Sequence, residues 1–227
     1  MLNEQGRIAS TREPQAVHGP VFTLVRGEIS CAWAIRDDVP DDLARELDRL
    51  AQEEPPTWDL RAPPVYAERY IALLGERVAA SQSANQIADK VRQSDGPAFE
   101  FPASLPGSGE IVTVGEEPPL HHHFRGWVVG EIAGGRAPVV AIVEDGHPVS
   151  ICFCARRSDA AAEAGLDTAE LYRGRGYGAR VTAAWARAIR ASGLVPLYST
   201  GWANQPSLAV ARKLRLVPYA SSWGLSD

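Results

Sequence analysis

The apolar positions of the first third fall into short runs separated by turn residues. Val21–Val25 and Ser30–Ile35 read as two short strands around Arg26-Gly27-Glu28. After Pro40 the spacing changes. Leu43, Leu47, Leu50 and Ala51 recur at helical intervals, with Asp41 and Asp42 in the first turn and Pro55-Pro56 as the stop. Tyr66, Tyr70, Leu73, Leu74 and Arg77 keep the same period and predict a second helix over Val65–Val78. Gln82–Ser94 is polar with isolated Ile87 and Val91, a candidate third helix. Asp37, Asp38, Asp41 and Asp42 read as helix-start electrostatics, not as a metal site.

From Gly96 strands and helices alternate. Ala98–Phe101 and Glu110–Val114 are strand-like, and Phe124, Val128 and Ile132 predict a helix over Leu120–Ile132. The clearest hairpin joins Val139–Val143 to Val149–Phe153 across Glu144-Asp145-Gly146. A strand is expected over Ala164–Thr168 and a helix from Gly178 to Ala191, stopped by Gly193. Val195–Ser199 reads as strand, Gln205–Leu214 as helix and Val217–Ala220 as strand, with Trp223–Leu225 as a candidate continuation. The pattern is that of an α/β protein with a mixed central sheet flanked by helices. It divides into a mainly helical N-terminal extension, 1–95, and a second domain, 96–227. The two N-terminal helices each have one apolar face and are too short to stand alone, so they are expected to cover the second domain near its substrate. Tyr66, Tyr70 and Trp58 are candidates either for that pocket or for plain core packing.

Composition narrows the class. Apolar residues make up 45% of the 227, enough for a proper core. A net charge of -5 argues against nucleic acid as partner. No run approaches the length of a membrane span, and the first residues carry no apolar leader. Cys31, Cys152 and Cys154 form neither a disulfide framework nor a zinc pattern, so the expectation is a reduced, cytoplasmic protein without metal. His121-His122-His123 would point in three directions from a helix and reads as a solvated helix start. Glu116-Glu117 is either a solvated loop or an attractor for a cationic acceptor.

The chemistry concentrates in Tyr172-Arg173-Gly174-Arg175-Gly176-Tyr177-Gly178, between a predicted strand and a long helix. A helix start leaves N–H groups unpaired and carries positive partial charge. Glycines let a phosphate approach the backbone, and Arg173 and Arg175 add charge. The segment therefore reads either as an anion cradle or as a basic helix start that binds nothing. It lacks the Lys-Ser/Thr of a P-loop and the spacing of a dinucleotide fingerprint.

Arg173-x-x-Gly176-x-Gly178 resembles the (Gln/Arg)-x-x-Gly-x-(Gly/Ala) signature of the GNAT acetyltransferases. Downstream, Pro196-Leu197-Tyr198-Ser199, Asn204-x-x-Ser207 and Val210-Ala211-x-Lys213-Leu214 resemble the family's second motif. The likeness is clear over 138–219, weaker back to 96 and absent before it. It implies a splayed sheet and direct transfer of acetyl from acetyl-CoA, as co-substrate, to a small-molecule or protein amine. It further implies that the turn Gly174, Arg175, Gly176, Tyr177, Gly178 and Ala179, with Arg173, holds the CoA pyrophosphate. Leu166, Asp167 and Thr168 match the strand that holds the thioester, and Asn204 matches a CoA contact.

The family's side-chain acid and base are missing from their usual places. Ala211 stands where many members carry tyrosine, and Ser199 and Ala162 stand where members carry a strand glutamate. Glu163 is the nearest carboxylate to serve as base, although one residue's shift along a strand changes the face. Tyr198, Ser207 and Tyr219 are candidate acids. The missing pair also leaves open a non-catalytic acyl-CoA sensor, or a partner-binding module centred on 1–95. A homodimer stays open as well.

Overall fold

The computed structural model describes residues 2–11, 19–81, 91–107 and 112–227. Nine strands form one mixed sheet in the order β2-β1-β9-β3-β8-β7-β6-β5-β4. They are β1 (Phe22–Gly27), β2 (Cys31–Ile35), β3 (Arg92–Glu100), β4 (Val112–Val114), β5 (Val139–Glu144), β6 (His147–Arg157), β7 (Ala161–Thr168), β8 (Val195–Ser199) and β9 (Val217–Ser226). The helices are α1 (Asp41–Glu53), α2 (Ala67–Ser81), α3 (Tyr177–Ala191) and α4 (Gln205–Leu214). The fold is thus α/β, with a mixed sheet flanked by helices, as the pattern predicts.

Each helix forms because one apolar stripe meets a core. Val181, Trp185 and Ile189 of α3 are fully buried against Val140, Cys152 and Ala162 of the sheet. Leu208, Ala211 and Leu214 of α4 close the same core. A second core joins α1 and α2 to β1 and β9, where Phe22 stacks on Tyr70 at 4.7 Å between ring centres and Trp223 meets Phe22 edge-on. A third lies under β4–β6, built from Leu120, Phe124, Ile132 and Ile151.

Two expectations are corrected. Leu120–Ile132 is not a helix: a 3-10 turn covers Pro118–His122 and a short π-turn covers Ile132–Arg136. The apolar spacing is met by successive turns, and Phe124 and Ile132 still reach the core. The candidate third helix, Gln82–Ser94, lies outside the described residues over 82–90, and its end from Arg92 is strand β3. That strand runs antiparallel to both neighbours and sits between β8 and β9. At its centre, a methyl group on Gly96 would lie 1.8 Å from the Thr200 carbonyl oxygen. Only glycine allows the chain leaving β8 to cross there.

The N-terminal strands continue the same sheet, because β1 pairs antiparallel with β9 over its whole length. What fixes the chain between α1 and α2 is a buried ion pair. Arg26 and Glu54 are 3% and 4% exposed and lie 3.6 Å apart. Arg26 also donates to the Ala62 carbonyl, and Glu54 accepts from the N–H groups of Val65 and Tyr66 and from the Tyr70 hydroxyl. Removing one partner strands a buried charge, which costs about 3–5 kcal/mol, whereas an apolar pair of similar size costs far less. Glu54→Ala should therefore lower the free energy of unfolding by about 3–5 kcal/mol in urea denaturation. The double variant Arg26→Met/Glu54→Leu should recover most of that loss; equal losses in both would refute a charge-based cause.

Candidate active site

Strands β7 and β8 run parallel, yet they pair through three residues only: Ala161, Ala162 and Glu163 with Val195, Pro196 and Leu197. Beyond Glu163 they part. On its other side β7 stays paired with β6 out to Thr168, so it remains extended while its second edge faces a gap. Its backbone N–H and C=O groups on that edge lack a strand partner, which is tolerable only where water or a ligand replaces one. The opening is a cleft of about 930 Å³.

The structure gathers most of the sequence-predicted residues around this cleft. Leu166, Asp167 and Thr168 form the β7 wall, and Asn204 starts the α4 wall. Arg173, Gly174, Gly176, Tyr177, Gly178 and Ala179 form the head of the cleft. Arg175 does not line it: its guanidinium lies over the Tyr172 ring at 4.9 Å, donates to the Leu171 carbonyl and sits 3.7 Å from Glu144. Tyr177 also donates to Glu144, so this carboxylate braces the turn from outside.

The turn has the geometry an anion requires. Gly176 is the N-cap of α3, in the left-handed region at φ 80°, and no side chain caps the helix. By contrast, α4 is capped, because the Asn204 side chain accepts the Ser207 N–H at 3.1 Å. The free donors of α3 therefore face the cleft. A methyl group on Gly176 would fall 2.5 Å from the Lys213 ammonium, which thus lies over the turn and lines the cleft. Lys213 is a site residue that sequence reasoning misses. It sits in the last turn of α4, and nothing in its local pattern says that α4 brings it back over the first turn of α3. Arg173 is partly committed, donating from Nε to the Thr168 carbonyl at 3.1 Å.

Glu163 lies where the strands part. Its neighbours Ala162 and Ala164 are buried in the core under α3, so alternation turns Glu163 to the opposite face. There it accepts a 2.6 Å hydrogen bond from the Ser199 hydroxyl and an ion pair from Arg156 at 3.2 Å. The two strand positions that lack the family's glutamate are thus bridged by this carboxylate: Ala162 adjoins it, and Ser199 bonds it. On the helix side, the Tyr198 and Ser207 hydroxyls lie 2.6 Å apart, both at the cleft. Burial pushes the Tyr198 phenol above its ordinary pKa. Tyr219 is also raised, first by burial and then by the charges of Glu163 and Glu100.

Other candidates have different roles. Cys152 and Cys154 are buried, and burial pushes both thiols up. His122 stacks on His147 at 3.8 Å, His123 meets His122 and Tyr172 edge-on, and the His121 ring lies 3.1 Å from the Trp127 carbonyl, so the three histidines point to different partners. No group of three His, Cys, Asp or Glu among the described residues is arranged to hold a metal. Glu117 is no acceptor lure: its buried carboxylate accepts from the N–H groups of Ile132 and Gly130, and the Ile132 bond foremost holds it below the usual carboxylate range. Tyr70 packs in the second core, while Trp58 is exposed. No helix among the described residues is long and apolar enough to cross a membrane.

Residues 137–217 match the family model described as GNAT acetyltransferase. No curated protein matches the chain in sequence. Among solved structures, a GNAT-family acetyltransferase from Colwellia psychrerythraea is 12% identical, with 86% of this chain and 76% of that one covered and a TM-score of 0.50. A GCN5-related N-acetyltransferase-like protein from Streptococcus suis 89/1591 is 19% identical, with 91% and 84% covered and a TM-score of 0.48. At such identities the first of these speaks for the fold alone. The family's chemistry is acyl transfer from acyl-CoA. Residues 137–217 are thus similar to the GNAT acetyltransferases, and the parted strands and the uncapped glycine turn both lie within that matched segment.

Proposed function

We propose that the protein transfers acetyl from acetyl-CoA directly to an amine, with the cofactor lying in the cleft between β7 and β8. The observation that carries this reading is the parting of those strands beneath an uncapped, glycine-lined helix start with a lysine ammonium over it. Acetyl-CoA supplies the activated acyl group. The N–H groups of Gly174–Ala179 hold its pyrophosphate, with Arg173 and Lys213 adding charge. Arg175 contributes through its backbone, since its side chain braces Glu144. The free edge of Leu166, Asp167 and Thr168 holds the acyl arm and donates N–H groups to the carbonyl oxygen as charge develops on it. Asn204 contributes its remaining amide donors at the α4 wall.

The amine must arrive neutral or lose a proton. Glu163 takes that proton, directly or through one water, at the point where the strands separate. Ser199 and Arg156 orient its carboxylate. The amine nitrogen then bonds to the carbonyl carbon, the carbon–sulfur bond breaks, and the thiolate takes a proton from water in the cleft.

Three measurements test this. Gly176→Val places a branched side chain in left-handed backbone and against Lys213, so acetyl-CoA affinity by calorimetry should fall 10-fold or more, about 1.4 kcal/mol. Unchanged affinity would remove the turn from the site. Glu163→Gln should lower kcat/KM by about 10²–10⁴ with an amine acceptor while leaving acetyl-CoA affinity unchanged. Wild-type turnover in that variant would exclude Glu163 as base. Finally, Cys152 and Cys154 are buried with raised thiol pKa values, so neither provides a thiolate. Mass spectrometry after mixing with acetyl-CoA alone should show no stoichiometric acetyl adduct on cysteine; finding one would replace direct transfer by a two-step route.

A further inference from the structure

The α4 wall of the cleft is fastened from outside the segment that matches the family. Strand β8 ends at Ser199, and the chain passes through Thr200, Gly201, Trp202 and Ala203 before Asn204 caps α4. Thr200 and Gly201 line the cleft. Besides the Gln205 Nε2 donation to the Trp202 carbonyl at 3.1 Å, three contacts from earlier in the chain hold this loop. The Thr200 N–H donates to the Pro97 carbonyl, and the Trp202 N–H donates to the Asp95 carbonyl, each at 3.3 Å. The third comes from the stretch between α1 and α2: the Arg61 guanidinium lies 4.1 Å from the centre of the Trp202 ring.

Arg61 is itself placed. Its N–H donates to the Asp59 carboxylate at 3.0 Å, and the Ala62 N–H closes a turn onto the Asp59 carbonyl. The next carbonyl, that of Ala62, is held by buried Arg26. A line of contacts therefore runs from the Arg26–Glu54 pair through the 59–62 turn to Arg61. From there it passes to Trp202 and reaches the first turn of α4. The hydrogen bonds of Pro97 and Asp95 fix the loop's backbone, while the half-buried Trp202 ring packs against the main core and is covered by the Arg61 guanidinium.

We propose that Arg61 is a positioning residue for the cofactor cleft: by stacking on Trp202 it fixes loop 200–203, and with it the start of α4 that forms one wall. The link to acetyl-CoA rests on the function proposed above, whereas the ordering of the loop does not. A cation over an indole ring is worth a few-fold at an exposed site, and Arg61 is exposed, so its loss should leave global stability nearly unchanged.

The test uses the full-length protein with two readouts. Without cofactor, Arg61→Ala should speed hydrogen exchange at 200–203 and in the first turn of α4, with Tm within about a degree of wild type. With acetyl-CoA, its Kd and KM should rise about 3- to 5-fold while kcat changes little. Arg61→Lys, which keeps a cation able to stack, should recover most of both effects. Trp202→Ala should reproduce the Arg61→Ala phenotype, and the double variant should add little to either. Exchange at 200–207 and acetyl-CoA affinity both at wild-type values in Arg61→Ala would overturn the proposal. A general fall in Tm without a local change in exchange would overturn it too, by making Arg61 merely structural. If wild-type protein bound no acetyl-CoA, the proposed function would fail, and the exchange comparison would still decide whether Arg61 orders the loop.

Discussion

Everything in this molecule is arranged around one interrupted pairing. Strands β7 and β8 share three residue pairs and then separate, although both continue. A sheet tolerates a gap in its middle only if both flanks are held by something else. On one flank β6 pairs with β7 along its length, and α3 packs its apolar stripe over the same strands. On the other, β3 pairs with the end of β8 and with β9. The gap therefore has two walls, each held by its own pairing and packing. The helix that crosses from β7 to β8 must begin at its head, which is why an uncapped helix start and the open strand edge meet in one place.

The second wall explains why the N-terminal part is integrated into the sheet. Strand β3 precedes the family-matched segment in sequence but fills the position between β8 and β9, and β1 and β2 extend the sheet beyond β9. The close crossing at Gly96 ties this strand to the chain leaving β8. Buried charge at Arg26 and Glu54 then orders the stretch before α2, which would otherwise be a proline-rich loop. Packing, strand pairing and a buried ion pair thus all bear on the same cleft wall from a region that lies before the matched segment 137–217.

What was legible in the sequence was local. The hairpin across Glu144-Asp145-Gly146, the helix after Gly176 and the helix after Asn204 each carry their own turn or capping residues, and each begins within two residues of its predicted place, although β6 runs on past Phe153 to Arg157. The residues around the cleft were legible for the same reason, since the glycine turn is a contiguous motif at a helix start. Strand β3 was legible only in its second half, as Ala98–Phe101: Arg92, Gln93, Ser94 and Asp95 are polar and exposed, and only pairing with distant β9 makes them a strand. The stretch 120–132 misleads in the opposite sense, because Phe124 and Ile132 do face a core at helical spacing while the backbone turns between them, with Gly130 at φ 94°. Lys213 over Gly176, and Arg61 over Trp202, depend on how separate elements cross, which no window of sequence contains.

The absent tyrosine and glutamate positions become intelligible from the same geometry. Ala211 is buried in the core shared by α3 and α4, so the helix presents packing there and not chemistry. The polar groups that do reach the parting strands come from β7 and β8 themselves: Glu163 with Ser199 on one face, and Tyr198 reaching Ser207 on the other. Alternation along a strand puts successive side chains on opposite faces, so a single pair of residues, Tyr198 and Ser199, supplies a hydroxyl to each side of the gap. A cleft lined largely by a glycine turn and a free strand edge places few demands on side chains, and its polar groups sit beside the point where the strands separate. In this chain that point is the end of the paired segment, Glu163 opposite Leu197, and it is fixed by the sheet rather than by any one catalytic side chain.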